Sequence, residues 1–284
     1  MELSLTCFGS ARRPLQELLD LARGLGFQGV QPVPGELAED LPSDGYAGFF
    51  RFLPSSILDS AQADSAQTSE TSQARIDAWV DQLRAKQVRK VVVEAGLLKQ
   101  ATLRERGSKL LEQLRAEGTA SWGTEASESL QAEVGPQAER ELEDFARFLH
   151  NLLRKAPWVS VALAIEDHPA SLLDPGRLRL LREEASLPHL GYWHDTGRAQ
   201  TRAALGLDAP GDWLDQHAAI LVGTSLHDWA EGQDQRLPGD GQVDFQLVAE
   251  YLPRHAARVL SVAPVYPKEL LPAARDALGA AGLL

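Results

Sequence analysis

Acidic residues and histidines follow the short apolar runs of this chain, at the positions where strands of a parallel sheet would end. Glu94 closes the run KVVVE, Glu166 closes SVALAIE, Asp195 closes LGYWHD, and His227 follows ILVGTSL. Carboxylates and imidazoles that converge at one edge of a sheet can bind a divalent metal or transfer protons. The pattern therefore indicates metal chemistry or acid–base chemistry at that edge.

Side chains alternate between the two faces of a strand, so residues on the inward face can be counted by twos. This count selects the following candidates: Glu94, Glu166, His168, Trp193, Asp195, Ser225 and His227. Trp193 would form an apolar wall of the pocket or fill the core, and His168 stands where its strand is ending. His227 is either a site residue or a hydrogen-bonded structural histidine. Glu94 is either a ligand or base, or a charge at the rim.

Eight short apolar runs alternate along the chain with segments of helical periodicity, and several of the runs are continuous and β-branched. Continuous apolar runs are typical of strands covered on both faces, as in a parallel sheet. The runs are 3–8, 29–33, 49–53, 90–95, 160–166, 190–195, 220–227 and 258–263. Eight strand–helix repeats predict one α/β domain over residues 1–284, a (β/α)8 TIM barrel, with an open doubly wound sheet as the alternative.

Residues 97–137 separate the fourth predicted strand from its helix and are longer than a simple connection requires. They contain one predicted helix, Leu103–Glu117, followed by the polar stretch 118–136. Because the segment follows a strand, we expect an insertion at the C-terminal mouth of the barrel, where active sites are built. There it would either decorate the surface or cover the pocket as a lid.

The overall charge restricts the classes of partner. Lys and Arg number 28 against 40 Asp and Glu, a net charge of −12, which argues against nucleic acid and anionic membranes as main partners. The single cysteine, Cys7, cannot form an internal disulfide, and the N-terminus has no signal-peptide pattern. We therefore expect a cytoplasmic protein with a small-molecule ligand, in an oligomeric state that the sequence does not reveal.

Three short sequence motifs resemble those of a known group of proteins. IEDHP on the fifth predicted strand, GYWHDTGR on the sixth, and SLHDW followed by DQRLPGDGQVDF on the seventh resemble motifs of the xylose-isomerase-like TIM-barrel superfamily. That superfamily includes sugar and sugar-phosphate isomerases and epimerases and the type IV apurinic endonucleases. The resemblance implies a divalent cation held by Glu, Asp, His and Glu from the fifth to the eighth strands.

Only half of that ligand set is kept in this sequence. Glu166 and Asp195 match the first two ligands, whereas Ser225 and Ala263 stand at the third and fourth positions. A further histidine of the superfamily corresponds to Arg198 here. The resemblance therefore implies an eroded metal site, with no cofactor or only a weakly bound Mg²⁺ or Mn²⁺. Arg198 would either bridge Glu166 and Asp195 in place of the ion or point into solvent.

Two functions remain open from the sequence. The first is a sugar or sugar-phosphate isomerase or epimerase, in which Glu166 moves a proton or holds a weak cation with Asp195. His227 and Arg198 would then contact substrate oxygens, with Trp193, His168 and Glu94 as further candidates. The second is a metal-free, catalytically silent barrel that binds a carbohydrate or a protein partner. The missing histidines and the net charge of −12 disfavour the endonuclease branch.

Overall fold

The computed structural model of the chain describes residues 3–6, 15–31, 50–52, 67–85, 88–119, 124–184, 187 and 190–284; Cys7 lies outside them. Eight strands form one sheet. They are β1 (Leu3–Thr6), β2 (Gly29–Gln31), β3 (Phe50–Phe52), β4 (Lys90–Glu94), β5 (Ser160–Ala164), β6 (Leu190–Asp195), β7 (Leu221–Leu226) and β10 (Ala257–Leu260). Two short strands, β8 (Asp228–Ala230) and β9 (Gln233–Arg236), form a separate antiparallel hairpin.

The strand order identifies the architecture. The sheet runs β2–β1–β10–β7–β6–β5–β4–β3, and each neighbouring pair is parallel. The first strand pairs with the last, Leu3 opposite Arg258 and Leu5 opposite Leu260, as the closure of a barrel requires. The predicted α/β, TIM-barrel-like fold is confirmed at this level, and the open doubly wound sheet is not the arrangement found. That residues 1–284 form one domain stays a prediction.

Helices follow most of the strands. They are α1 (Leu15–Gly24), α2 (Gln67–Ala85), α3 (Ala101–Glu117), α4 (Glu125–Lys155), α5 (Pro175–Glu184), α6 (Thr196–Ala204), α7 (Pro210–His217), α8 (Phe245–Tyr251) and α9 (Leu271–Ala280). Several of them bury an apolar stripe in the large core cluster, as Ile76, Trp79, Val80 and Leu83 of α2 do. No described helix has the length and apolar character needed to cross a membrane.

The sheet divides the core into two parts because its side chains alternate. Val91 and Val93 of β4 belong to the large outer cluster beneath the helices, whereas Val92 belongs to a small inner cluster. The other fully buried members of the inner cluster are Ala162, Ala164, Trp193 and Val259. The next residue on the same face of β4 after Val92 is Glu94, and Trp193 is followed on its face by Asp195. The inner cluster therefore forms the floor beneath the polar residues at the strand ends.

The segment 97–137 differs from its prediction. The structure has the predicted helix as α3, but α4 begins at Glu125, so most of 118–136, for which the sequence predicted only a polar stretch, is helical. The buried face of α4 contains Leu130 and Val134 but also Ser127, Ala138 and Glu141. Because these three residues are small or polar, the apolar residues alone do not show the helical period. The position of 97–137 as an insertion at the mouth stays a prediction.

The Trp193 ring packs against Gly223 on the neighbouring strand β7. A larger residue at position 223 therefore tests the packing of the inner cluster. A Cβ atom on Gly223 would lie 2.2 Å from Cζ3 of the Trp193 ring. We expect Gly223→Ala to lower the free energy of unfolding by about 1–3 kcal/mol, because the enclosed indole has no space to move. Urea denaturation measures the change.

Gly279→Ala on α9 is the matched control, since nothing outside its own helix and its chain neighbours lies within 4 Å of the added methyl group. It should raise the stability by about 0.5–1 kcal/mol through helix propensity. Equal effects of the two substitutions would contradict the packing described for Trp193.

Candidate functional site at the carboxyl ends of the strands

Arg198 lies at the centre of the polar cluster above the inner core. It occupies the first turn of α6, where Asp195 is the N-cap and its Oδ1 accepts a hydrogen bond from the Arg198 amide at 3.1 Å. The guanidinium Nη1 lies 3.0 Å from Oε1 of Glu94 and 3.1 Å from Oε2 of Glu166, and it donates to the Ile165 carbonyl at 2.9 Å. Nε lies 3.8 Å from Oδ2 of Asp195. One cation therefore joins the ends of β4, β5 and β6.

The cluster around Arg198 is largely shielded from water. The side chains of Glu94 and Asp195 are 2% and 1% exposed, and those of Glu166 and Arg198 are 15% and 19% exposed. Burial alone would lower the pKa of Arg198, but the carboxylates of Glu94, Glu166 and Asp195 raise it above its ordinary value. The guanidinium is thus a permanent positive charge that offsets neighbouring carboxylates in a poorly solvated place.

His227 provides a second positive charge beside the first. Its Nε2 lies 2.8 Å from Oδ1 of Asp195, and its Nδ1 lies 2.7 Å from Oδ1 of Asp234. Burial would lower the pKa of His227, yet Asp234 and Asp195 together outweigh it and raise that pKa to about 10. The buried imidazole is therefore protonated at neutral pH, and it links β6 through Asp195 to β9 through Asp234.

Asp234 was not among the residues selected from the sequence. Its approach to His227 depends on Gly197, because a Cβ there would lie 1.8 Å from Oδ1 of Asp234 and 2.5 Å from the His227 ring. Glu231 and Gly232 both have positive φ in the turn of this hairpin, and in the sequence only the glycine indicated a turn there. Nothing in the sequence pattern paired Asp234 with His227.

Ser225 and Ala263, which stand at two ligand positions of the superfamily, have other surroundings. The hydroxyl of Ser225 accepts a hydrogen bond from the Trp193 indole at 3.0 Å, and both side chains are buried. Trp193 thus fills the core, one of its two predicted roles, and does not form an open wall. Ala263 offers only a methyl group, and its amide donates to the Gln235 carbonyl at 2.9 Å.

His168 does not join the cluster through any hydrogen bond that the structure describes. Its Nδ1 accepts from the Ala170 amide at 3.0 Å, and its Nε2 lies 3.2 Å from the hydroxyl of Ser108 on α3. Burial lowers its pKa, so the ring is a neutral donor to Ser108. His168 therefore attaches α3 to the loop after β5, a structural role that its place near the strand end did not reveal.

A buried ion pair between Arg202 and Asp208 lies next to the cluster and stabilises the backbone there. The guanidinium of Arg202 on α6 binds both carboxylate oxygens of Asp208, and its Nη1 donates to the Glu166 carbonyl at 3.2 Å and to Ser171 at 2.8 Å. Thr196, the first residue of α6, donates to the His227 carbonyl just beyond β7 at 2.6 Å and so connects α6 to the end of that strand. These bonds hold the backbone of Glu166 and His227 in place without using their side chains.

The residues present do not fit the divalent cation that the resemblance implies. The two retained carboxylates, Glu166 and Asp195, face the guanidinium of Arg198, while the Ser225 hydroxyl is occupied by Trp193 and Ala263 has no donor atom. A positive charge 3.1 Å from a Glu166 oxygen and 3.8 Å from an Asp195 oxygen repels a second cation. Within the described ranges, no group of three or more His, Cys, Asp or Glu side chains is arranged to hold a metal ion.

The protonated state of His227 predicts a pH-dependent stability. Because its folded pKa of about 10 lies above the ordinary 6.5, its stabilisation is complete below pH 6.5 and is lost as the pH rises through 10. We expect the free energy of unfolding to fall over this interval and His227→Gln to remove that part of the fall. Urea denaturation across the interval measures it, with His150→Gln, on the exposed face of α4, as the control. Identical pH slopes for the three proteins would refute the assignment.

Of the comparisons with known proteins, only the comparison of structures found matches to this chain. No protein-family model matches the chain, and no curated protein matches it by sequence. Solved structures match it over nearly its full length. D-psicose 3-epimerase from Clostridium cellulolyticum H10, with D-tagatose, has a TM-score of 0.66 at 10% identity and full coverage of both chains.

Two further solved structures give the same result at higher identity. A xylose isomerase domain protein from Alicyclobacillus acidocaldarius has a TM-score of 0.61 at 16% identity, with 99% of this chain and 98% of that one covered. The protein TTHB071 from Thermus thermophilus, soaked with ZnCl2, has a TM-score of 0.57 at 19% identity, with 99% of each chain covered. At these identities the likeness shows the fold, and the chain has the fold of the xylose-isomerase-like TIM barrels.

Proposed function

We propose that this chain binds a small carbohydrate-like ligand at the carboxyl ends of its strands and does so without a divalent cation. The observation that carries the proposal is the guanidinium of Arg198, which lies within 3.1 Å of Glu94 and Glu166 and so supplies the positive charge of the site from within the chain. Support for the ligand class comes from the fold, since D-psicose 3-epimerase was solved with D-tagatose.

The partly exposed members of the cluster suit a polyhydroxylated ligand. Glu166 and Asp234 are 15% and 22% exposed, so their carboxylates can accept hydrogen bonds from hydroxyl groups. Hydrogen bonds to an ionised group are about twice as strong as those between neutral groups. The more deeply buried Glu94, Asp195 and His227 position these contacts. Under this proposal the ligand meets Glu166, Asp234 and the exposed edge of Arg198.

A second candidate is an isomerase or epimerase that works without a metal. The observation that favours it is the exposure of Glu166, the most accessible of the three carboxylates around Arg198. A carboxylate in that place can take a proton from the carbon next to a carbonyl. The negative charge of the chain continues to disfavour nucleic acid as the partner, and a cytoplasmic location remains part of the proposal.

Binding in the absence of metal tests the first proposal. We expect saturation-transfer NMR in EDTA to detect D-tagatose or D-psicose bound to the protein, and elemental analysis to find well below one Mn, Co or Zn per chain. Glu166→Gln should weaken binding about tenfold, because it removes an ionised acceptor. Glu143→Gln, at an exposed position of α4, is the control and should bind as the wild type does. Binding that appears only after Mn²⁺ is added would overturn the proposal.

The same sample separates the second candidate from the first. Incubation of the bound ketose in D₂O should leave its carbon-bound hydrogens unexchanged if the barrel only binds. Deuterium entering at the carbon beside the carbonyl, and its loss in Glu166→Gln, would establish proton transfer by Glu166 instead.

A further inference from the structure

One nitrogen of Arg198 is enclosed by oxygens of the chain in a way that does not depend on any ligand. Nη1 lies 2.9 Å from the Ile165 carbonyl, 3.0 Å from Oε1 of Glu94 and 3.1 Å from Oε2 of Glu166. These three oxygens come from two paired strands and the residues just beyond them. The nitrogen therefore lies where a small cation with oxygen ligands would lie.

We infer that these three oxygens form a cation site that Arg198 fills, and that removal of its side chain opens the site to a divalent ion that prefers oxygen, Mg²⁺ or Mn²⁺. The site differs from the ligand set of the superfamily. It shares Glu166 with that set, adds Glu94 and the Ile165 carbonyl, and uses neither Ser225 nor Ala263. Carboxylate and carbonyl oxygens are the ligands that these ions prefer.

The backbone that carries the three oxygens is held by bonds that do not involve Arg198. Glu94 and Ala164 are paired in the register of β4 and β5, and the Ala95 amide donates to the Ala164 carbonyl at 3.4 Å. Arg202 fixes the Glu166 carbonyl at 3.2 Å. The backbone that presents the three oxygens therefore remains after a substitution at position 198. Metal–oxygen bonds of about 2.0–2.6 Å then need only a small inward movement of the two carboxylates.

Electrostatics supplies the driving force for ion binding. Without the guanidinium, Glu94 and Glu166 each lose a positive charge about 3 Å from a carboxylate oxygen, and the Glu94 side chain is only 2% exposed. Like charges at a poorly solvated place repel strongly, and a divalent ion offsets both. The variant without Arg198 should therefore be less stable than the wild type and should regain stability when the ion binds.

The direct experiment measures Mn²⁺ binding to Arg198→Ala. Titration calorimetry and the electron paramagnetic resonance signal of free Mn²⁺ give the affinity and the number of ions bound. We expect the variant to bind one Mn²⁺ at least about tenfold more tightly than the wild type, and its thermal midpoint to rise with Mn²⁺. Adding Glu94→Gln to Arg198→Ala should weaken the Mn²⁺ binding and also reduce the loss of stability, because one of the two carboxylates is then neutral.

Two controls distinguish the site from a general effect of losing an arginine. Arg198→Lys keeps the positive charge and should bind Mn²⁺ no better than the wild type. Arg147→Ala also removes an arginine from between two carboxylates, Glu143 and Asp144, but on the exposed surface of α4, so it should gain no Mn²⁺ site.

The outcome is decisive whether or not the variant folds in buffer alone. If Arg198→Ala is unfolded without ions, recovery of its structure by Mn²⁺ and not by the same ionic strength of NaCl supports the inference. A folded Arg198→Ala that binds Mn²⁺ no more tightly than the wild type overturns it. A variant that stays unfolded with Mn²⁺ also overturns it, as does a wild-type protein that binds one Mn²⁺ with the affinity of the variant.

Discussion

The ion pairs of Arg198 hold the described mouth of the barrel together. Parallel strands bring Glu94, Glu166 and Asp195 to one small, poorly solvated place, where three carboxylates without a cation would repel one another. Breaking a buried pair by removing one partner typically costs about 3–5 kcal/mol, since a charge is left uncompensated. Asp195, one of the three carboxylates, is also the N-cap of α6, where its side chain accepts a hydrogen bond from the Arg198 amide, so the start of the helix belongs to the same set of contacts.

His227 extends this balance to the β8–β9 hairpin. Its imidazolium lies between Asp195 and Asp234, so Asp195 contacts both cations, and the hairpin contacts the sheet through a charge. Gly197 makes room for this contact, and the Gln235 carbonyl binds the Ala263 amide at 2.9 Å. The hairpin, α6 and the loop after β10 are therefore positioned by one connected set of charged and polar contacts.

The sequence was most informative where a short period governs the structure. The alternation of side chains along β4 and β6 was enough to predict that Glu94 and Asp195 share a face with Val92 and Trp193. Every second residue of a strand points to the same side of the sheet, so the prediction needs no further information. It was least informative for contacts between distant segments. The partners of Asp234 and the attachment of His168 to Ser108 arise from folding of the chain over itself, and strands as short as β8 and β9 show no period. The length of α4 was hidden by the polar and small residues on its buried face.

The position of the cation within the chain favours ligand binding over isomerisation. A catalytic metal acts on a carbonyl through an open coordination position, which the substrate occupies. Nη1 of Arg198 carries two hydrogens, and these are directed to the Ile165 carbonyl and Glu166, with Glu94 as a third oxygen beside them. This nitrogen is therefore engaged by the protein itself, and only the remaining edge of the guanidinium can reach a ligand. A charge used in this way stabilises the mouth and orients Glu166, but it polarises a substrate carbonyl less than a metal ion would.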